Sequence, residues 1–185
     1  ETDRNGNSWS YTYDADGRMT TKTDPLGYVT TYTYDAEGNL LTETTELGRV
    51  TSYTYDAMGR VTSETDPMGH VVTFYYDGLG QLIGMTNKDG TTVSYTYDGN
   101  GNNLTVTDEE GYVVTYTYDA DGRMTKLTNA RGYDTRYEYD SVGNLVKTID
   151  ALNGETSRVY DANGNLLSET DTEGNTTSYT YDKLG

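Results

Sequence analysis

The sequence predicts an all-β fold, an antiparallel β-hairpin meander of 21-residue repeats wound as a curved strip. Three observations carry this prediction. The dipeptide Tyr-Asp recurs every 21 residues, with its Asp at Asp14, Asp35, Asp56, Asp77, Asp98, Asp119, Asp140, Asp161 and Asp182. A Gly stands three residues after each, from Gly17, Gly38, Gly59 and Gly80 through Gly101, Gly122, Gly143 and Gly164 to Gly185. Between the turns the chain is rich in Tyr, Thr and Val, with 20 Tyr against one Phe and one Trp, the composition of strands. A fixed period of this size means stacked units, none able to bury its apolar surface alone. Sparse Ala, Leu and Lys argue against a helical array. The whole of residues 1–185 reads as one array of about nine repeats. Glu1 and Gly185 both fall inside a repeat, so the expectation is an interior segment of a longer chain.

Each element of the repeat has its own signal. Tyr28 to Tyr34 forms the first strand by length and composition. Asp35-Ala36-Glu37-Gly38 forms the first turn, where Asp bonds the backbone two residues on and Gly accepts positive φ. Asn39 to Thr44 is the second strand, and Thr45-Glu46-Leu47-Gly48 the second turn. Asp24-Pro25-Leu26-Gly27 and Asp66-Pro67-Met68-Gly69 place both prolines at the second turn position, where a fixed φ suits a type I turn. The second Gly series breaks at Asn153, and Asn is the next residue to tolerate a left-handed backbone, so the turn there should survive. Arg158 replaces the first Tyr of repeat eight, which marks that repeat as the most irregular. Repeated along the chain, this makes roughly eighteen strands.

The period is odd. Side chains alternate faces along a strand, so an odd period inverts each repeat against the last unless one residue is absorbed. A β-bulge or a longer second turn would absorb it, and a regular bulge adds twist and bend. A flat ribbon of this width, roughly 86 Å at about 4.8 Å per strand, would in any case be expected to curl.

With its faces in register, the array carries ladders. Tyr32 with Tyr34, Tyr53 with Tyr55, Tyr95 with Tyr97, Tyr116 with Tyr118 and Tyr137 with Tyr139 each share a face, and Leu40, Val61, Leu82 (in repeat four), Met124, Leu145 and Leu166 on the next strands are expected to face the stripe. Phe74 takes the first position in repeat four. The stripe reads as packing, with sugar-stacking platforms as the alternative. The turn residues Asp35 with Gly38, Asp56 with Gly59, Asp98 with Gly101 and Asp119 with Gly122 read as turn capping rather than Ca²⁺ ligation, because each turn offers one or two carboxylates where calcium loops need more. The Thr series from Thr23 to Thr170 suits a half-exposed face, and a curving sheet does not suit an ice-binding one.

Composition excludes several functions. A net charge of −17 argues against nucleic acid and against anionic membrane surfaces. The absence of Cys excludes disulfides and thiolate chemistry. The single His70 follows a turn glycine and reads as solvated. There is no nucleophile elbow, phosphate loop or metal cluster, so neither catalysis nor a cofactor is expected. Trp9 reads as a cover over a sheet end.

The pattern Tyr-x-Tyr-Asp-x-x-Gly-(Arg/Asn)-(Leu/Val/Met) resembles the YD repeat of Rhs proteins. It stands as Tyr53-Thr54-Tyr55-Asp56-Ala57-Met58-Gly59-Arg60-Val61 and as Tyr116-Thr117-Tyr118-Asp119-Ala120-Asp121-Gly122-Arg123-Met124. That family includes Rhs polymorphic toxins, Tc toxin B/C subunits, wall-associated proteins and teneurins. The resemblance implies a β-spiral of hairpins forming a hollow shell, which in toxins encloses an unfolded effector and in teneurins is an extracellular scaffold. It implies a secreted or cell-surface protein. Toxin shells end in a core motif with an Asp-Pro-x-Gly run. Asp24-Pro25-Leu26-Gly27 is similar locally but sits in an ordinary repeat, so no protease residues are carried over. The functional expectation is a non-catalytic shell or scaffold segment. Its partners would be adjacent repeats of the parent chain or further copies end to end, around an unfolded effector. The alternatives are a glycan-binding or adhesion module using the Tyr face, and a self-assembling scaffold.

Overall fold

The computed structural model describes residues 4, 6 and 8–182, so Glu1 and the last rung of the turn series, Gly185, lie outside the described residues. Every regular element among the described residues is a β-strand. The first strands of the repeats are β1 (Ser10–Tyr13), β3 (Val29–Tyr34), β5 (Val50–Tyr55), β7 (Val71–Tyr76), β9 (Thr92–Tyr97), β11 (Val113–Tyr118), β13 (Asp134–Tyr139), β15 (Glu155–Tyr160) and β17 (Thr176–Ser178). The second strands are β2 (Met19–Thr23), β4 (Leu40–Thr44), β6 (Val61–Thr65), β8 (Leu82–Thr86), β10 (Asn103–Thr107), β12 (Met124–Thr128), β14 (Leu145–Ile149) and β16 (Leu166–Thr170).

The chain divides into two compact units, residues 1–93 and 94–185. In the first, β1 to β8 pair antiparallel, each with the next in sequence. In the second, the part of β9 from Ser94 onward and β10 to β17 do the same. Within each unit the fold is therefore a meander, joined by turns of one kind. At Asp56 the amide donates to the Arg60 carbonyl (3.0 Å), and the Gly59 amide returns to the Asp56 carbonyl (3.0 Å). Gly59 has φ 76°. This is the three-residue hairpin loop, a type I turn closed by a left-handed residue. The second turn repeats it, with Asp66 to His70 at 2.9 Å and Gly69 to Asp66 at 2.9 Å. Asn153 takes the left-handed position in repeat eight, with φ 63° and its amide on the Asp150 carbonyl (3.0 Å).

The surplus residue of the odd period goes into a bulge, not into a turn. Thr54 faces Ser63, but Tyr55 faces Val61, which leaves Thr62 unpaired. The same slip leaves out Thr20, Leu41 and Ile83 in the first unit, and Leu104, Thr125, Val146 and Leu167 in the second. Repeat eight keeps the strand lengths of its neighbours, contrary to the irregularity expected from Arg158. Its Arg158 faces Glu169 and pairs with it, Nε to Oε2, at 2.6 Å.

Register also staggers the repeats. Thr31 faces Thr44, and Thr44 faces Val50, so Val50 lies level with Thr31. The repeat equivalent of Thr31 is Ser52, two residues further along. Two residues along a strand is about 6.7 Å and two strands across is about 9.6 Å, so rows of equivalent residues slant by roughly 35° to the ladder. Among the described residues no hydrophobic side chain is fully buried. Tyr32, Tyr34, Tyr53 and Tyr55 of the first unit are half-buried, as are Tyr95, Tyr97, Tyr116 and Tyr118 of the second, and stability rests on the ladder and on contacts between neighbouring repeats.

Candidate functional site

The Tyr-Asp dipeptide is the joint between repeats. Tyr55 ends β5 and points its ring toward the preceding strand, where its hydroxyl donates to the Leu40 carbonyl at 2.8 Å. That carbonyl precedes the bulge residue Leu41. The paired ladder of β4 and β5 extends from Thr44 only to Thr42, so a side-chain donor satisfies a group beyond the last paired residue. The contact recurs at a separation of fifteen residues: Tyr34 on Met19 (2.8 Å), Tyr76 on Val61 (3.0 Å), Tyr118 on Asn103 (2.8 Å) and Tyr139 on Met124 (2.9 Å). Tyr160 and Tyr181 complete the series on Leu145 and Leu166. Tyr97 faces Asn103 at the same position of repeat five.

The Asp saturates its own turn. Asp56 Oδ1 accepts the Met58 and Arg60 amides at 2.8 and 3.0 Å, while Oδ2 accepts Arg60 Nε at 2.6 Å. Asp119 holds the Asp121 and Arg123 amides at 3.0 Å each and Arg123 Nε at 2.7 Å. Where Asn replaces Arg the amide does the same work. Asn39 Nδ2 reaches Asp35 at 2.9 Å, and Asn102 Nδ2 reaches Asp98 at 2.9 Å. Gly38, Gly59, Gly101 and Gly122 all occupy the left-handed position of these turns, with φ from 76° to 95°. The Asn39 side chain, and the Asn102 side chain and amide, hold the Asp35 and Asp98 carboxyls below the usual range. The Arg60 amide, then its guanidinium, does so for Asp56. These are acceptor bonds to the charged form. The carboxylate oxygens are thus committed to the amides and side chains of their own turns.

The turn arginine then reaches forward. Arg18 lies over the Tyr34 ring at 5.4 Å, Arg60 over Tyr76 at 4.6 Å and Arg123 over Tyr139 at 5.1 Å. Arg18 Nη1 also donates to the Asp35 carbonyl at 3.0 Å. Each cation therefore binds its own Asp and caps the aromatic ring of the next repeat.

The first Tyr of each pair behaves differently. Tyr32 faces Glu43 and Tyr53 faces Glu64, while Tyr95 and Tyr116 face Val106 and Leu127. The aliphatic partners Leu40, Val61 and Met124 face only the second tyrosines, Tyr34, Tyr55 and Tyr118. Both sets are half-buried, on one face. Burial first, then the charges of Glu64 and Glu43, pushes the Tyr53 hydroxyl up. An open hollow of about 820 Å³ lies beside Tyr53 and Tyr55, bordered by Asp35, Asn39, Leu41 and Met58. The hydroxyl-to-carbonyl peg and the forward-reaching Arg were missed in the sequence. The available signal was that the second Tyr stands in all nine registers, whereas Phe74 and Arg158 enter at the first.

These features define a class: a β-hairpin repeat array whose recurring side chains hold repeat to repeat. The model of the RHS Repeat matches residues 1–28, 13–49, 34–71, 76–105, 97–134, 121–155 and 160–185. The chain belongs to the RHS repeat family. Comparison with curated proteins gave no match. Among solved structures it is similar to TcdB2-TccC3, with a TM-score of 0.62 and 18% identity over 94% of this chain and 15% of that one. It is similar to TcdB2-TccC3 without its hypervariable C-terminal region, at 0.57 and 19% over 94% and 14%. A Photorhabdus luminescens Tc holotoxin pore matches at 0.58 and 19%, again over 94% and 14%. The likeness is one of fold, and the chain spans about one seventh of those chains.

Proposed function

We propose that this chain is a non-catalytic wall segment of a larger secreted or surface Rhs-type shell, its repeats forming one array that contributes to enclosing a C-terminal effector. One observation supports this above the others. The repeated polar groups, the Tyr hydroxyl, the Asp carboxylate and the turn Arg, are engaged in bonds within or between repeats. Such groups build a wall and leave no recurrent set for chemistry. The partners on this reading are the neighbouring repeats and the enclosed chain.

A glycan-binding Tyr face is the second reading, favoured by the open hollow beside Tyr53 and Tyr55. The double variant Tyr53→Ala/Tyr55→Ala separates the two on a glycan array with a parallel denaturation curve. The wall reading expects no saturable glycan binding by the parent sequence and a lowered unfolding midpoint in the variant. Glycan binding that disappears in a fully folded variant would sink it.

A further inference from the structure

The tyrosine face of the first unit carries two carboxylates that the fold does not pair. Glu43 and Glu64 occupy the same rung of successive repeats, half-buried on the strands that face Tyr32 and Tyr53. Glu43 also faces Thr51, two residues before Tyr53, so Tyr53 lies directly across from one carboxylate and diagonal to the other. Neither glutamate has a hydrogen bond or ion pair among the described residues. Lys88 acts electrostatically on Glu64, but its ammonium is bonded to Asp66 at 2.9 Å.

The same rung elsewhere shows what the position accepts. In repeat eight the residue at the first Tyr position is Arg158, and its guanidinium pairs with Glu169 at 2.6 Å and reaches Thr148 at 3.3 Å. Repeats two and three have the carboxylate without the cation. A tyrosine ring stands where the guanidinium would come from, and a ring face attracts a cation. A guanidinium set between Tyr53 and these carboxylates would gain planar bidentate pairing and stacking together.

We propose that the strip Tyr32, Glu43, Tyr53 and Glu64 binds arginine side chains of an extended cationic peptide. The net charge of −17 favours approach of such a partner over any anionic one. Spacing refines the choice. The two carboxylates are two strands apart with a two-residue stagger, about 12 Å between backbones. Residues four apart on one side of an extended peptide are about 13 Å apart, so the best ligand carries arginines at that separation. The proposal holds whether or not the array encloses a cargo.

The test uses fluorescence anisotropy with a labelled Arg-Gly-Ser-Gly-Arg peptide and its citrulline counterpart, which keeps shape and loses charge. The parent chain should bind the arginine peptide at least tenfold more tightly at low salt. Glu43→Gln/Glu64→Gln should abolish that preference. The charge-matched control Glu46→Gln/Glu110→Gln, at exposed turn residues outside the hollow beside Tyr53 and Tyr55, should change it less than twofold. Equal binding of the two peptides by the parent chain overturns the proposal without any variant being needed. Equal losses in the two double variants overturn it too, because they would reduce the effect to overall acidity. A neutral oligosaccharide bound at Tyr32 and Tyr53 and indifferent to the glutamate changes would assign the strip to a sugar instead.

Discussion

At the scale of single residues, the two tyrosines of each repeat have the same ring and different duties. Tyr55 spends its hydroxyl on the Leu40 carbonyl, whereas Tyr53 meets Glu64 across the strand with no hydroxyl bond in the ladder of pegs. Tyr55→Phe should therefore cost about 1 kcal/mol, the net worth of one hydrogen bond plus a carbonyl left short. Tyr53→Phe should stay within about 0.5 kcal/mol, as befits a half-exposed site. Urea denaturation midpoints read both. Acid sensitivity belongs to the same scale. The Asp56 carboxyl lies below its ordinary value of 3.8 in the folded chain. A depressed carboxyl stabilises in full above its unfolded value and stops doing so as pH falls through its folded one. Stability curves of the parent and Asp56→Asn should thus run parallel above about pH 5 and converge below about pH 4. The comparison cancels the common relief of acidic repulsion. Curves that diverge as pH falls would contradict the assignment.

At the scale of elements, turn chemistry is local and was legible. Asp at the first corner and Gly at the fourth are enough to place the turns of both kinds, and Asn153 holds the left-handed position as its residue type suggests. The backbone requirement differs between glycines that look alike in sequence. Gly59 has φ 76°, whereas Gly99 has no such φ and open space where a Cβ would stand. Gly59→Ala should lower stability by about 1–2 kcal/mol. Gly99→Ala should leave it unchanged or raise it by up to about 1 kcal/mol, since it narrows only the unfolded ensemble. Thermal melts followed by far-UV circular dichroism would decide. Pairing was less legible than turns. Parity requires one absorbed residue per repeat, yet a bulge and a longer turn satisfy parity equally. Once the bulge shifts the register, the partner of Tyr53 becomes Glu64 instead of Ser63. A peg to a residue fifteen positions back depends on that register, so composition and local pattern alone do not reveal it. Repeat eight looked irregular only because Arg158 breaks a pattern of residue type, and its ion pair with Glu169 fits the same strand geometry.

At the scale of the whole molecule, repeat number and repeat parity have separate consequences. Removing residues 42–62 takes out 21 positions and leaves every donor, acceptor and face in place for the repeats that remain. The shortened chain should fold, with a modestly lower midpoint. Removing Thr62 alone takes out one position, the bulge residue of β6. The residues beyond it must then change face or lose their pairing. That single deletion should cost about 2 kcal/mol or more, in the range of the larger one-site effects. Greater damage from the 21-residue deletion than from the single one would refute the account of the bulge.

The hydroxyl pegs give the array a polarity. Every peg runs backward along the chain, from a Tyr in one repeat to a carbonyl in the repeat before it. Each repeat therefore offers a donor toward the repeat before it and an acceptor toward the repeat after it. Joining two copies through like ends would set donor against donor or carbonyl against carbonyl, so a two-fold symmetric dimer through the sheet ends is disfavoured. Head-to-tail joining reproduces the native contact and has no built-in stop. Closure of such a chain of repeats must come from something other than the repeat itself.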